Sequence, residues 1–200
     1  MTTGHGGLIM RWSGRGGQSH GTLLRGYWDS LRQGRALPRR DRIDPRCIAP
    51  ALEHVFLIER LAPGSARFRI AGQEVCAMAG RDLRGLPFSL LLDPAARPRL
   101  APQLDAVFTG PSVLDMTLRA MPERAVLRVL VLPLTGWRGG SDLAIGCVDA
   151  AGLAPAAVPR RFQIDRILRE PLATDDTPPA PRSAARPGPR PHLTLVHSRD

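Results

Sequence analysis

At 200 residues the chain suits one domain with flanking segments, and it holds no apolar run near the roughly 18 residues that a membrane-crossing helix needs. Its three cysteines, Cys47, Cys76 and Cys147, are widely spaced and form no CxxC pair, which argues against a disulfide framework or a zinc site and fits a reducing, cytoplasmic setting. All 28 basic residues are arginine and the net charge is +10, but that charge lies in the flanks: +6 over residues 1–46, +1 over 47–150 and +3 over 151–200.

Residues 1–21 are glycine-rich and are expected to be flexible, and they offer no apolar core of a secretory signal. The glycines of "GRGGQSHG" do not form a dinucleotide or phosphate loop, because Ser19 stands where the third glycine belongs. Helical spacing then sets Leu24, Tyr27, Trp28 and Leu31 on one face of a helix over 22–33, with Thr22 as a cap and Gly34 as a stop. Residues 22–46 are thus an N-terminal helix and linker. Asp44 and Pro45 open a short helical turn. "HVFLIER" reads as a strand, and "ARFRIA" alternates, with Phe68 and Ile70 opposite Arg67 and Arg69.

A short helix follows over 72–79, stopped at Gly80. Leu100, Leu104 and Phe108 line one side of a further helix ended by Gly110, whose first half is weakened by Pro98 and Pro102. Three strands come next. "VLDMTLRA" turns Leu114, Met116 and Leu118 inward. "RAVLRVLVLPLTG" is apolar on both faces, with Leu127, Val129 and Val131 on one and Val126, Leu130 and Leu132 on the other. "SDLAIGCVDA" is expected as the last strand, reached through Gly139 and Gly140. A strand apolar on both faces needs cover on both. The stripe Leu24, Tyr27, Trp28 and Leu31 matches the face of Val126, Leu130 and Leu132, either within the chain or in a homodimer. Residues 151–170 are assigned a short helical region. Residues 171–200 are assigned a disordered tail, because 171–191 hold seven prolines. Its "HLTLVHS" can add as a strand to a partner's sheet.

Motifs that carry chemistry are missing: there is no Ser-elbow, HExxH or P-loop. Glu53, Glu59, Glu74, Asp82, Asp93 and Asp115 are scattered and read as caps or surface charges, so no catalytic and no metal-ligating residue is assigned. An Arg-flanked nucleic-acid-binding protein is the alternative reading. The near-neutral centre and only nine aromatic residues argue against specific nucleic-acid recognition.

Two strands, short helices, a longer helix and three antiparallel strands resemble a PAS domain. The stretch "FRIAGQEVCAMAGRDLRGLPFSLLLDPAARPRLAPQLDAVFTG" carries the likeness, and "YWDSLRQGRALPRRDRIDPRCIAPALEHVFLIE" is similar to the opening of a small stand-alone PAS group of alphaproteobacteria. The resemblance covers about residues 22–150, with 47–150 as the domain proper. It implies an α+β fold: a five-stranded antiparallel sheet, short helices on one face and an N-terminal amphipathic helix. It also implies a bacterial sensory or interaction module without catalysis, which signals through another protein or as a dimer. Light-sensing relatives carry a flavin-reactive cysteine in the turn matched by "GRDLRG", where this chain has Leu83, and Cys76 reads as a small apolar helix residue. Haem-binding relatives place a histidine on the connecting helix, where residues 94–110 have none; His54 opens a strand. Flavin and haem are therefore disfavoured, and a small apolar ligand or simply a packed core is left, with Met78, Phe88, Leu104, Phe108 and Leu118 as cleft-lining residues.

Overall fold

The computed structural model describes residues 19–32, 34, 36–120, 125–136, 140–151 and 161–173. The N-terminal helix, α1 (His20–Leu31), starts earlier than its spacing suggests. Its cap is Ser19, not Thr22: the Ser19 side chain accepts from the Thr22 N–H, which satisfies one of the donors that a first turn leaves free. Asp44 caps the 3-10 segment Pro45–His54 by accepting from the Arg46 N–H, as its spacing predicts. Strands β1 (Val55–Ala62) and β2 (Ser65–Ala71) form a hairpin. Helix α2 (Gln73–Ala79) ends at Gly80, whose φ of 67° is the left-handed conformation that glycine adopts without strain.

Helix α3 (Arg97–Thr109) runs through both prolines. Pro98 sits in the first turn, where a missing N–H costs nothing, so only Pro102 removes an internal bond. Strands β3 (Ser112–Ala120), β4 (Val126–Leu134) and β5 (Leu143–Ala151) follow. A sixth strand, β6 (Phe162–Pro171), closes the order β2-β1-β5-β4-β3-β6, with every pairing antiparallel. Two expectations are corrected here. The sheet has six strands rather than five, and the C-terminal part of 151–170 is a strand rather than a helix. The reason is non-local: β3 is apolar and would otherwise end the sheet with unpaired backbone groups. Residues 162–171 fill that edge, skipping Asp165 in a bulge between Thr117 and Leu118.

The tail assigned to 171–200 also begins later, since Pro171 ends β6 and the Leu172 N–H donates to the Pro111 carbonyl. Its remainder, with "HLTLVHS", lies outside the described residues, as do residues 1–18 of the expected flexible start.

The connection from β2 to β3 crosses one face of the sheet and carries α2 and α3 onto it. Call this the inner face. Its core includes Phe56, Phe68, Val75, Leu83, Leu100, Met116, Leu127, Val129 and Val131. The outer face carries a second core of Leu24, Trp28, Ile48, Val55, Leu130, Leu132 and Ile145. The two apolar sides read from "RAVLRVLVLPLTG" are thus divided between two cores, except that Val126 is only half-buried.

Candidate functional site

On the inner face, Met78, Phe88, Leu104, Phe108 and Leu118 come together in one core, each less than a tenth exposed. They come from five places in the chain: α2, the 3-10 turn Phe88–Leu91, two positions on α3, and β3. The rings of Phe56, Phe68 and Phe88 meet at centroid distances of 5.4 to 5.7 Å, a geometry that favours aromatic contact. Leu83 is fully buried among them, and Cys76 is half-buried, with Sγ 3.9 Å from the Ala71 carbonyl oxygen.

On the outer face, α1 lies over β4 and β5. Trp28 is fully buried, its Nε1–H donates to the Pro133 carbonyl at 3.0 Å, and the guanidinium groups of Arg25 and Arg32 lie over its ring. Leu24, Leu130 and Leu132 pack with it, while Tyr27 and Leu31 are half-buried. The Tyr27 hydroxyl donates to the Arg42 carbonyl and accepts from the Asp44 N–H. Polar ties fix the start and the middle of the helix. Asp149 of β5 accepts from the N–H groups of His20 and Gly21, and Arg25 makes a two-pronged ion pair with Glu170 of β6. Within the chain, α1 thus covers part of its own sheet.

Helix α1 stops short of β1 and β2, and two adjoining grooves lie there. One, of about 150 Å³, is apolar: Ile43, Ile48, Leu52, Val55, Leu134 and Ile145 are among its walls. The other, of about 500 Å³, is lined by Arg67, Arg69, Arg84, Glu59, Asp142 and Leu143, among others. Arg40, Leu57 and Ile70 line both, so the two are continuous. Glu59 pairs with Arg67 at 2.8 Å and with Arg69 at 3.6 Å.

Two charged features have no counterpart in the expectations drawn from the sequence. Asp115, read as a cap or surface charge, is 8 % exposed and ion-paired with Arg128 at 3.1 Å. Burial pushes its carboxyl above the usual carboxylate range, against the pull of Arg128 and Arg166. The alternation of β3 carried the signal, because an acid between Leu114 and Met116 must share the outer face with Val113. The second feature is a stack of the His20 and His54 rings, 3.9 Å apart and 16° from parallel, with His20 Nδ1 3.0 Å from Asp149. Burial pushes the His54 imidazole below its ordinary value; His20 acts in the same direction, and Glu74, Asp149 and Glu53 oppose it. No sequence spacing links residues so far apart. Burial also pushes the Cys147 thiol strongly up, so it stays protonated. Among the described residues no group of His, Cys, Asp or Glu is placed to hold a metal ion, and no helix is long and apolar enough to cross a membrane.

No curated protein matches the sequence. Among solved structures, the chain is similar to the light state of the LOV domain of the blue-light photoreceptor Aureochrome1, at 14 % identity and a TM-score of 0.38, over 54 % of this chain and 88 % of that one. The family profile described as "PAS domain" matches residues 18–149 and takes in α1. That match spans well over half of the chain, across the whole run from α1 to β5, and the chain belongs to the PAS-domain family.

Proposed function

We propose that this chain is a stand-alone sensory or protein-interaction module of bacterial signalling, cytoplasmic and without catalytic activity, whose output passes through another polypeptide. The observation that carries this reading is the uneven cover of the outer sheet face. Helix α1 covers β4 and β5, and the β1–β2 sector stays open, with Ile70 48 % and Leu52 41 % exposed. Exposed apolar surface of this kind marks interaction sites. Two of the described flanking arginines favour it over nucleic-acid binding, since Arg25 is spent on Glu170 and Asp29, and Arg32 on Trp28 and the Ala173 carbonyl.

Leu83 within the core, and a connecting helix without histidine, disfavour flavin and haem. A colourless apolar ligand among Met78, Phe88, Leu104, Phe108 and Leu118 would have to displace part of that packed core, in which each of them is less than a tenth exposed. The absorption spectrum and native mass of the purified full chain test the reading together. The expected result is no haem or flavin band, and a mass of one or two chains with at most a small colourless ligand. A haem or flavin spectrum, or steep salt-sensitive retention on bulk DNA, would overturn it.

A further inference from the structure

We propose that the open β1–β2 sector of the outer face docks an acidic, apolar-studded segment of a partner protein; this rests on the reading of the chain as an interaction module. The sector is two-toned. Its apolar half is floored by Leu57, Ile145 and Leu134, and Ile70 and Leu52 stand out from it nearly half exposed. Its polar half holds four arginines against two acids. Glu59 is already shared between Arg67 and Arg69. Arg40 and Arg84 make no side-chain ion pair within the described residues, so their charge is open to an incoming carboxylate. Arg40 borders both halves, which puts cation and apolar floor within reach of one chain segment.

Charge and shape select the occupant. A second copy would bring the same arginines to face these, since a two-fold contact pairs a patch with itself, and like charges oppose it. The chain's own segment beyond the described residues, 174–200, has four arginines against three acids and the wrong sign. A small molecule buries most of its surface in a closed pocket, whereas this sector is open along its length. Nucleic acid would leave the apolar half unused, and the described rings that line the sector, Phe56 and Phe68, are fully buried and offer no face on which to stack a base. The docking is through side chains on the face rather than by strand addition at the β2 edge. There the N–H and C=O of Phe68 are already bonded to Leu86 and Gly85.

The test uses the full chain and a fluorescein-labelled octapeptide that alternates Glu with Leu. Controls replace Glu by Lys in one peptide and Leu by Ser in the other, and binding is read by fluorescence polarisation at low and high salt. The acidic–apolar peptide is expected to bind with a Kd below about 1 mM and to weaken with salt, while both controls bind at least about tenfold less tightly. Arg40→Glu with Arg84→Glu should weaken binding by about tenfold or more, and Ile70→Ser by about fivefold. Amide shifts on peptide addition should centre on Gly85, Ile70 and Leu143. Arg84 and Ile70 are exposed, and equal melting temperatures establish that the variants fold; Ile70→Ser alone decides if the double variant does not.

Equal binding of the lysine peptide, or binding indifferent to all three substitutions, overturns the proposed site and leaves the interaction-module reading standing. No peptide binding at 1 mM overturns the site as well, as does self-association abolished by Ile70→Ser, or decanoate binding at the sector where the peptide does not. The module reading falls only by its own spectrum, mass and DNA measurements.

Discussion

On the inner face of the sheet, cover comes from the forty residues that join β2 to β3. On the outer face it comes from α1 and the Pro45–His54 segment, which precede every strand; α1 packs on β4 and β5 and touches β6 through the Arg25–Glu170 pair. The first arrangement is local and complete. The connection must cross the sheet to place β3, so its apolar side chains land on the face that it crosses. The second is non-local and partial. A twelve-residue helix is about 18 Å long, and strands spaced about 4.8 Å apart soon outrun its width. The contrast teaches that the closed face of this domain is the one whose cover is obligatory, and that open surface is left where cover was recruited from a distance.

The largest expected effects test whether the outer core matters as much as the inner. Phe68→Ala on the inner face and Trp28→Ala on the outer should each cost about 3–5 kcal/mol in denaturant unfolding, because both rings are fully buried. A cost below 1 kcal/mol for Trp28→Ala would make α1 an appendage and end the comparison. Helix α1 packs on its own sheet, so sedimentation of Trp28→Ala should show the same oligomeric state as the parent.

Next is Gly146→Ala. A Cβ there would press on the Phe56 ring and the Leu130 carbonyl, so about 1–3 kcal/mol should be lost by overpacking. An unchanged melting curve would mean that the inner face is looser than its packing indicates.

Arg128→Met probes the polar end of the outer face and should cost about 1–2 kcal/mol at neutral pH, because it strands a largely buried Asp115. The carboxyl of Asp115 is held above its unfolded value of 3.8, so any stability tied to it is present below that pH and is lost as pH rises through the folded value. The deficit of Arg128→Met should therefore shrink on acidification, and adding Asp115→Asn should recover most of it at neutral pH. A deficit that does not change with pH would show that Arg128 acts through its hydrocarbon stem.

The smallest effect concerns the His20–His54 stack at the start of α1. The folded state holds the His54 imidazole below its unfolded value of 6.5, so the unfolded chain takes the proton first. Stability should be full above 6.5 and decline as pH falls below it. In His54→Gln that decline should be visibly flatter in melting temperatures taken between neutral and mildly acidic pH. Identical slopes would show that the stack does not couple to folding.

Local pattern was enough for most of the strands and for the ends of several elements. The alternation of Leu114, Met116 and Leu118, the Asp44–Pro45 start and the Gly80 stop follow from period, capping and left-handed backbone, which depend on neighbours a few residues away. The double apolar character of "RAVLRVLVLPLTG" already required two cores, and the residues assigned to the inner cleft do meet in one. Where the cover of the outer face comes from was decided only by the tertiary structure, because a stripe of Leu24 and Trp28 fits its own sheet or a copy's equally well. The same holds for β6: Phe162–Pro171 is a strand because the β3 edge needs partners, a demand set by residues some fifty positions earlier. Asp115, the histidine stack and the arginine-rimmed groove belong to this second class. Each is made by side chains far apart in sequence, whose meeting depends on strand order and on how far α1 reaches.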